Sequence, residues 1–175
     1  MSERYFAFGA NVHPATLERR GVETHSARPA RLDGYRLVFD MPGIPLVEPV
    51  FASVEPAEDH VWGALYELDT GALSRLRSFE GVAYEQRVVE VECAEGRVAA
   101  QIFVNAGRRL RRAPSRRYLS VIIEGARLRA LPDEWVARLE VEPAFYLPVV
   151  HELWSYGFAL VDRVHRRLVA PARRR

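Results

Sequence analysis

Two stretches of this sequence set chemically capable groups in places where they could act. The first is Phe79-Glu80-Gly81-Val82, a carboxylate at the end of an apolar helical pattern. A helix C-terminus carries partial negative charge, which disfavours the ionised carboxylate. The apolar flanks Phe79 and Val82 disfavour it further by desolvation. Both effects predict a raised pKa for Glu80 and suit it to general-base work. On local sequence alone, the plainer account is a solvent-facing glutamate before a capping glycine. The second stretch is Tyr5-Phe6-Ala7-Phe8-Gly9-Ala10-Asn11, an aromatic run that ends in three small residues. It reads as a buried strand whose last amide N–H groups point past its end, where they can meet an anion or a developing oxyanion. Gly9 permits either a left-handed turn or a close approach of a ligand. Read by itself, the run is a first core strand turning into a helix.

Other chemistries find less support. The five histidines, His13, His25, His60, His151 and His165, are scattered with no pair at ligand spacing, so no metal site is expected. All 25 Lys+Arg residues are arginine, which excludes lysine nucleophiles and a P-loop. No nucleophile elbow or dinucleotide fingerprint occurs. Cys93, the single cysteine, falls in a strand pattern and reads as an inert thiol in a reducing, cytoplasmic setting. Met1 to Arg4 lead straight into the first strand, leaving no room for a signal peptide, and no apolar run reaches the ~18 residues of a membrane span. The net charge of +2 favours neither nucleic acid nor a membrane surface. One basic run, Arg108-Arg109-Leu110-Arg111-Arg112 continuing to Arg116-Arg117, could attract carboxylates or phosphates. It lacks interleaved aromatics for base stacking. It is expected to be an electrostatic rim that gathers substrate rather than a nucleic-acid site.

The elements that must position these groups follow from patterning. Pro14 opens a short helix that Gly21 stops. Residues 30–40 predict two short strands about Asp33-Gly34, or one strand with a bulge. The Pro-rich segment 41–50 is expected to be irregular, with Ile44, Leu46 and Val47 either forming a lid or tucked onto the core. Strands are predicted over 51–55, 61–68, 84–93 and 98–104. Helices are predicted over 71–79, 116–129 with Ser115 as N-cap, and 132–139. Strands first and helices late indicate an α+β chain with a curved or barrel-like sheet. Beyond Glu142, the residues Val150, Leu153, Trp154, Gly157, Val161, Val164 and Leu168 recur at helical spacing. They predict a helical tail, not an independent domain, that docks on its own domain or on a second subunit as a homodimer.

Three separated pieces together resemble the γ-glutamylcyclotransferases. Residues Tyr5 to Asn11 resemble that family's Tyr-Gly-Ser-Asn loop. Arg77-Ser78-Phe79-Glu80-Gly81 followed by Tyr84 resembles its Glu-Gly segment with the catalytic glutamate. Pro114-Ser115-Arg116-Arg117-Tyr118, with Ile123-Glu124-Gly125-Ala126 and Leu131-Pro132, resembles its Pro-Ser-x-x-Tyr helix and the break after it. The resemblance implies a small mixed β-barrel with flanking helices over 1–141, followed by the tail 142–175. It implies a cofactor-free reaction, in which the α-amine of a γ-glutamyl amine or γ-glutamyl amino acid attacks its own γ-carbonyl and yields 5-oxoproline. Glu80 would be the base. Phe8, Gly9, Ala10, Asn11 and Tyr118 would bind substrate. Phe8 and Ala10 stand where the family usually has Tyr and Ser, so two hydroxyls are lost while the backbone donors remain. The alternatives are a noncatalytic small-molecule binding module on the same fold, and an anion or nucleic-acid binder using the arginine run.

Overall fold

The computed structural model describes residues 3–80 and 83–148. The apolar tail positions predicted from Val150 onward lie outside the described residues. Five strands close into a barrel in the order β1-β3-β2-β4-β5. They are β1 (Glu3–Ala7), β2 (Thr24–Ile44), β3 (Glu48–Leu68), β4 (Tyr84–Cys93) and β5 (Gly96–Asn105). β1 pairs antiparallel with β3 and parallel with β5, so the barrel is mixed, as expected. Closure leaves no sheet edge around the ring. The core, on the two faces of the sheet, includes Phe6, Leu32, Val61, Leu65, Tyr66, Leu68 and Ile102, all essentially inaccessible.

The largest departure from the sequence reading is the β2–β3 hairpin. Where separate short strands and an irregular loop were expected, two 21-residue strands pair almost throughout. Asp33-Gly34 becomes a register shift, the bulge alternative, with Gly34 at φ 78°. The Pro-rich segment stays in the ladder: Met41 pairs with Phe51, Pro42 with Val50 and Ile44 with Glu48. Only Pro45, Leu46 and Val47 form the turn. Among the described residues no third strand pairs with this end of the hairpin, and a proline lacking its N–H is tolerated where no neighbour needs it. Leu46 sits at the tip with φ 68°. A left-handed backbone costs a branched side chain about 1–2 kcal/mol relative to glycine.

The helices are α1 (Pro14–Arg19), α2 (Ala72–Glu80), α3 (Arg116–Leu128) and α4 (Asp133–Glu140). Pro14 occupies the first turn of α1, and the His13 ring accepts a hydrogen bond from the Ala15 N–H. Glu3 Oε2 accepts from the Gly71 and Leu73 N–H groups, fixing the start of α2 to β1. Ser115 caps α3 by accepting from the Tyr118 N–H at 3.0 Å. Its hydroxyl donates to the buried Glu48, which also accepts from Arg117 Nε at 2.7 Å. That carboxylate ties α3 to the base of the hairpin tip. Gly125 lets α3 press on the chain after β1: a Cβ there would lie 2.6 Å from the His13 nitrogen. A small residue at this position is what allows α3 and the Gly9–His13 turn to share one wall.

Candidate active site

A cavity of about 400 Å³ opens where β1 ends, between the hairpin and α2. The sequence-predicted residues Phe8, Gly9, Ala10, Asn11, Glu80 and Tyr118 all line it. Tyr5, Arg20, Tyr84, Phe103 and the hairpin residues Met41 to Ile44 line it as well. Depth follows from exposure: Tyr5, Phe8, Phe103 and Tyr118 are buried, whereas Ile44 and Phe79 at the mouth are half exposed.

Glu80 ends α2 with its side chain 13% exposed. Its Oε1 accepts from Asn11 Nδ2 at 2.9 Å and is paired with the Arg20 guanidinium. Asn11 also donates to the Tyr5 hydroxyl at 2.7 Å, so one amide links the Glu80 carboxylate to β1. Arg20 is brought there by α1, whose C-terminal cap it forms, with Gly21 in the left-handed region just after it. The guanidinium lies 5.8 Å from the centroid of the Phe79 ring, held between that ring and the carboxylate. The sequence reading placed no cation beside Glu80. Nothing local marks Arg20 among the chain's many arginines, and only its place at the end of the first helix could have singled it out.

After Phe8 the chain enters a single 3-10 turn, Ala10–Val12. The Asn11 and Val12 carbonyls accept from the Tyr66 hydroxyl at 3.0 and 2.8 Å, which fixes the turn to β3. Gly9 has φ −102°, so close approach rather than a left-handed turn explains it. A Cβ on Gly9 would lie 3.2 Å from both the Tyr118 hydroxyl and the Ala52 Cβ. The Tyr118 hydroxyl accepts from the Ala52 N–H at 3.1 Å, and the Tyr84 hydroxyl donates to the Ala52 carbonyl at 2.9 Å. Ala52 lies on the part of β3 beyond β1, so two tyrosines take the backbone groups a strand would have taken. Because Tyr118 accepts from Ala52, its own O–H is left to donate.

Burial pushes the Tyr118 phenol up to about 12, and the nearby Glu80 charge adds to the rise. Burial likewise pushes Tyr5 and Tyr84 far above the usual phenol range, again with a contribution from Glu80. All three therefore stay protonated at neutral pH and act as neutral hydrogen-bonding groups around one carboxylate.

The arginine run is placed differently from the expected rim. None of residues 108–117 lines the cavity. Arg109 and Arg111 bind Glu55, at 2.8 and 2.7 Å, and Arg117 binds Glu48. Among the described residues no group of histidine, cysteine and carboxylate side chains could hold a metal ion. No described helix is long and apolar enough to cross a membrane.

The model of the AIG2-like family matches residues 60–139, which include Glu80 and Tyr118. A γ-glutamyl cyclotransferase of Aspergillus fumigatus, gliK, is 35% identical over 80 residues, 46% of this chain and 29% of that protein's length. The γ-glutamylcyclotransferase of Bos taurus is 29% identical over 156 residues, covering 85% of this chain and 83% of the relative. A solved structure of a γ-glutamyl cyclotransferase superposes with a TM-score of 0.75 at 24% identity, over 85% of this chain and 92% of that one, which shows a shared fold. Residues 60–139 thus match the AIG2-like family, and the chain is similar to γ-glutamylcyclotransferases over most of its length and shares their fold.

Proposed function

We propose that this chain is a cyclotransferase that converts a γ-glutamyl amine or γ-glutamyl amino acid to 5-oxoproline and the free amine. One observation carries the reading: the Arg20–Glu80 pair inside the cavity, with the Gly9–Asn11 turn beside it. The head of a γ-glutamyl compound is a zwitterion, an ammonium and a carboxylate on one carbon. An acid–guanidinium pair complements both charges at once, with Glu80 taking the ammonium and Arg20 the carboxylate.

The chemistry then needs little more than folding of the substrate. Glu80 removes a proton from the ammonium, and the freed nitrogen attacks the γ-carbonyl of the same molecule. The new C–N bond closes a five-membered ring and puts negative charge on the carbonyl oxygen. The backbone N–H groups of the Gly9–Asn11 turn and the Tyr118 hydroxyl are the donors for that charge. Collapse breaks the bond to the departing amine. Two protons pass in all from the attacking to the leaving nitrogen, and Glu80 is the group placed to carry them. No redox step or group carrier is required. Phe8 closes the wall behind the turn where a hydroxyl would otherwise stand. The single cysteine, Cys93, free of any disulfide, supports a cytoplasmic setting.

The test is a panel of γ-glutamyl amides and γ-glutamyl amino acids scored for 5-oxoproline. Release from at least one member is expected. Tight binding of the panel without release would favour the noncatalytic binding module.

A further inference from the structure

We infer that the leaving group is an uncharged, apolar amine, seated between the hairpin tip and Phe79, so that γ-glutamyl conjugates of alkyl or arylalkyl amines are preferred over γ-glutamyl amino acids. The inference rests on the cyclotransferase reading above and adds the identity of the departing half. An amino-acid leaving group carries a second carboxylate, which loses solvation on entering the cavity unless a cation meets it. Among the described residues lining the cavity, Arg20 is the only cation, and on the reading above it is taken by the α-carboxylate of the glutamyl half. The arginine run that might have supplied another lies outside the cavity, with Arg109 and Arg111 bound to Glu55.

The apolar lining of the cavity instead includes Met41, Pro42, Ile44, Phe51 and Phe79. Ile44 on β2 is 49% exposed and Phe79 on α2 56% exposed, two large apolar side chains lining the same cavity. Exposed apolar surface gathered at a cleft marks a binding site, and an apolar ligand there accounts for both side chains.

The experiment compares kcat/KM for γ-glutamyl-n-hexylamide and γ-glutamyl-phenethylamide with γ-glutamyl-alanine and γ-glutamyl-glutamate, by 5-oxoproline release. The expected preference for the two apolar amides is roughly tenfold or more, the usual discrimination of an apolar subsite. Ile44→Arg places a cation at the half-exposed tip, and should lower the apolar-to-acidic ratio by about an order of magnitude, chiefly through KM. Phe79→Ser, on α2, should move the ratio the same way. Equal or better turnover of γ-glutamyl-alanine and γ-glutamyl-glutamate by the parent, or an unchanged ratio in both variants, overturns this inference alone. A parent that releases no 5-oxoproline from any of the four overturns the cyclotransferase reading and this inference with it.

Discussion

Glu80 and Glu55 are both carboxylates held by arginine, and the difference between them separates a site from a scaffold. Glu55 is buried on β3 and collects Arg36, Arg109 and Arg111. Burial alone would push its carboxyl up. Hydrogen bonds and charge from Arg36 and Arg111 more than reverse this, holding it below the usual carboxylate range. Both of its oxygens are occupied, and neither it nor its arginines line the cavity. Its effect is to pin the 106–114 loop to the barrel, aided by the Leu110 N–H, which donates to the Asp40 carbonyl at 2.8 Å. Among the described residues Glu80 is held by one arginine and one amide, both on the same oxygen, and it lines the cavity. A carboxylate occupied on both oxygens holds structure, whereas the proposed proton transfer needs one with a side open to the cavity.

Substitutions should show this contrast directly. Glu80→Gln preserves shape but cannot accept a proton, and should lower kcat for 5-oxoproline release by a factor on the order of 10²–10⁴. Far-ultraviolet circular dichroism and Tm should remain near the parent's. Arg20→Met should cost about 10–100-fold in kcat/KM, mostly in KM, since it removes the partner of the substrate carboxylate. Measuring kcat and KM separately checks this, and a loss confined to kcat would argue that Arg20 serves Glu80 alone. Glu55→Gln should leave kcat/KM within about twofold and lower stability by about 1–2 kcal/mol, a modest figure because its arginines are largely exposed. The pH dependence has a definite sign. A carboxyl whose folded pKa is depressed stabilises above its unfolded value of about 4.3 and loses that contribution as pH falls through the folded value. The stability gap between parent and Glu55→Gln, followed by urea unfolding, should therefore narrow below about pH 4. The smallest effect is expected from Leu46→Asn, which should raise stability by up to about 1 kcal/mol by relaxing the left-handed backbone.

How much of this was legible in the sequence depends on the range of the signal. Ser115 as a cap, Pro14 in the first turn of its helix, and the strand from Tyr84 to Cys93 were all readable, because caps and alternation are written in neighbouring residues. The Met41 to Val50 segment was misread because proline density argues for a loop, whereas pairing across a two-stranded ribbon tolerates it. Glu80 and Gly9 to Asn11 were marked by local chemistry and Tyr118 by the family resemblance, and the fold brings them to one cavity. Arg20 and the roles of Tyr5 and Tyr84 were not readable. Asn11 and Glu80 stand 69 positions apart, and Arg20 and Glu80 stand 60 apart. Only the packing of two helix ends against β1 creates those contacts. The arginine run was misassigned for the same reason, since its partner Glu55 lies on a distant strand.

The central claim is that the substrate's own α-amine, not water, attacks the γ-carbonyl in this cavity. Turnover of a γ-glutamyl amide in ¹⁸O-water, followed by mass spectrometry of the acyl product, addresses it most directly. Intramolecular attack gives 5-oxoproline with no ¹⁸O, and Glu80→Gln should suppress its formation. Glutamate carrying one ¹⁸O, formed at a rate that Glu80→Gln leaves unchanged, would contradict the account.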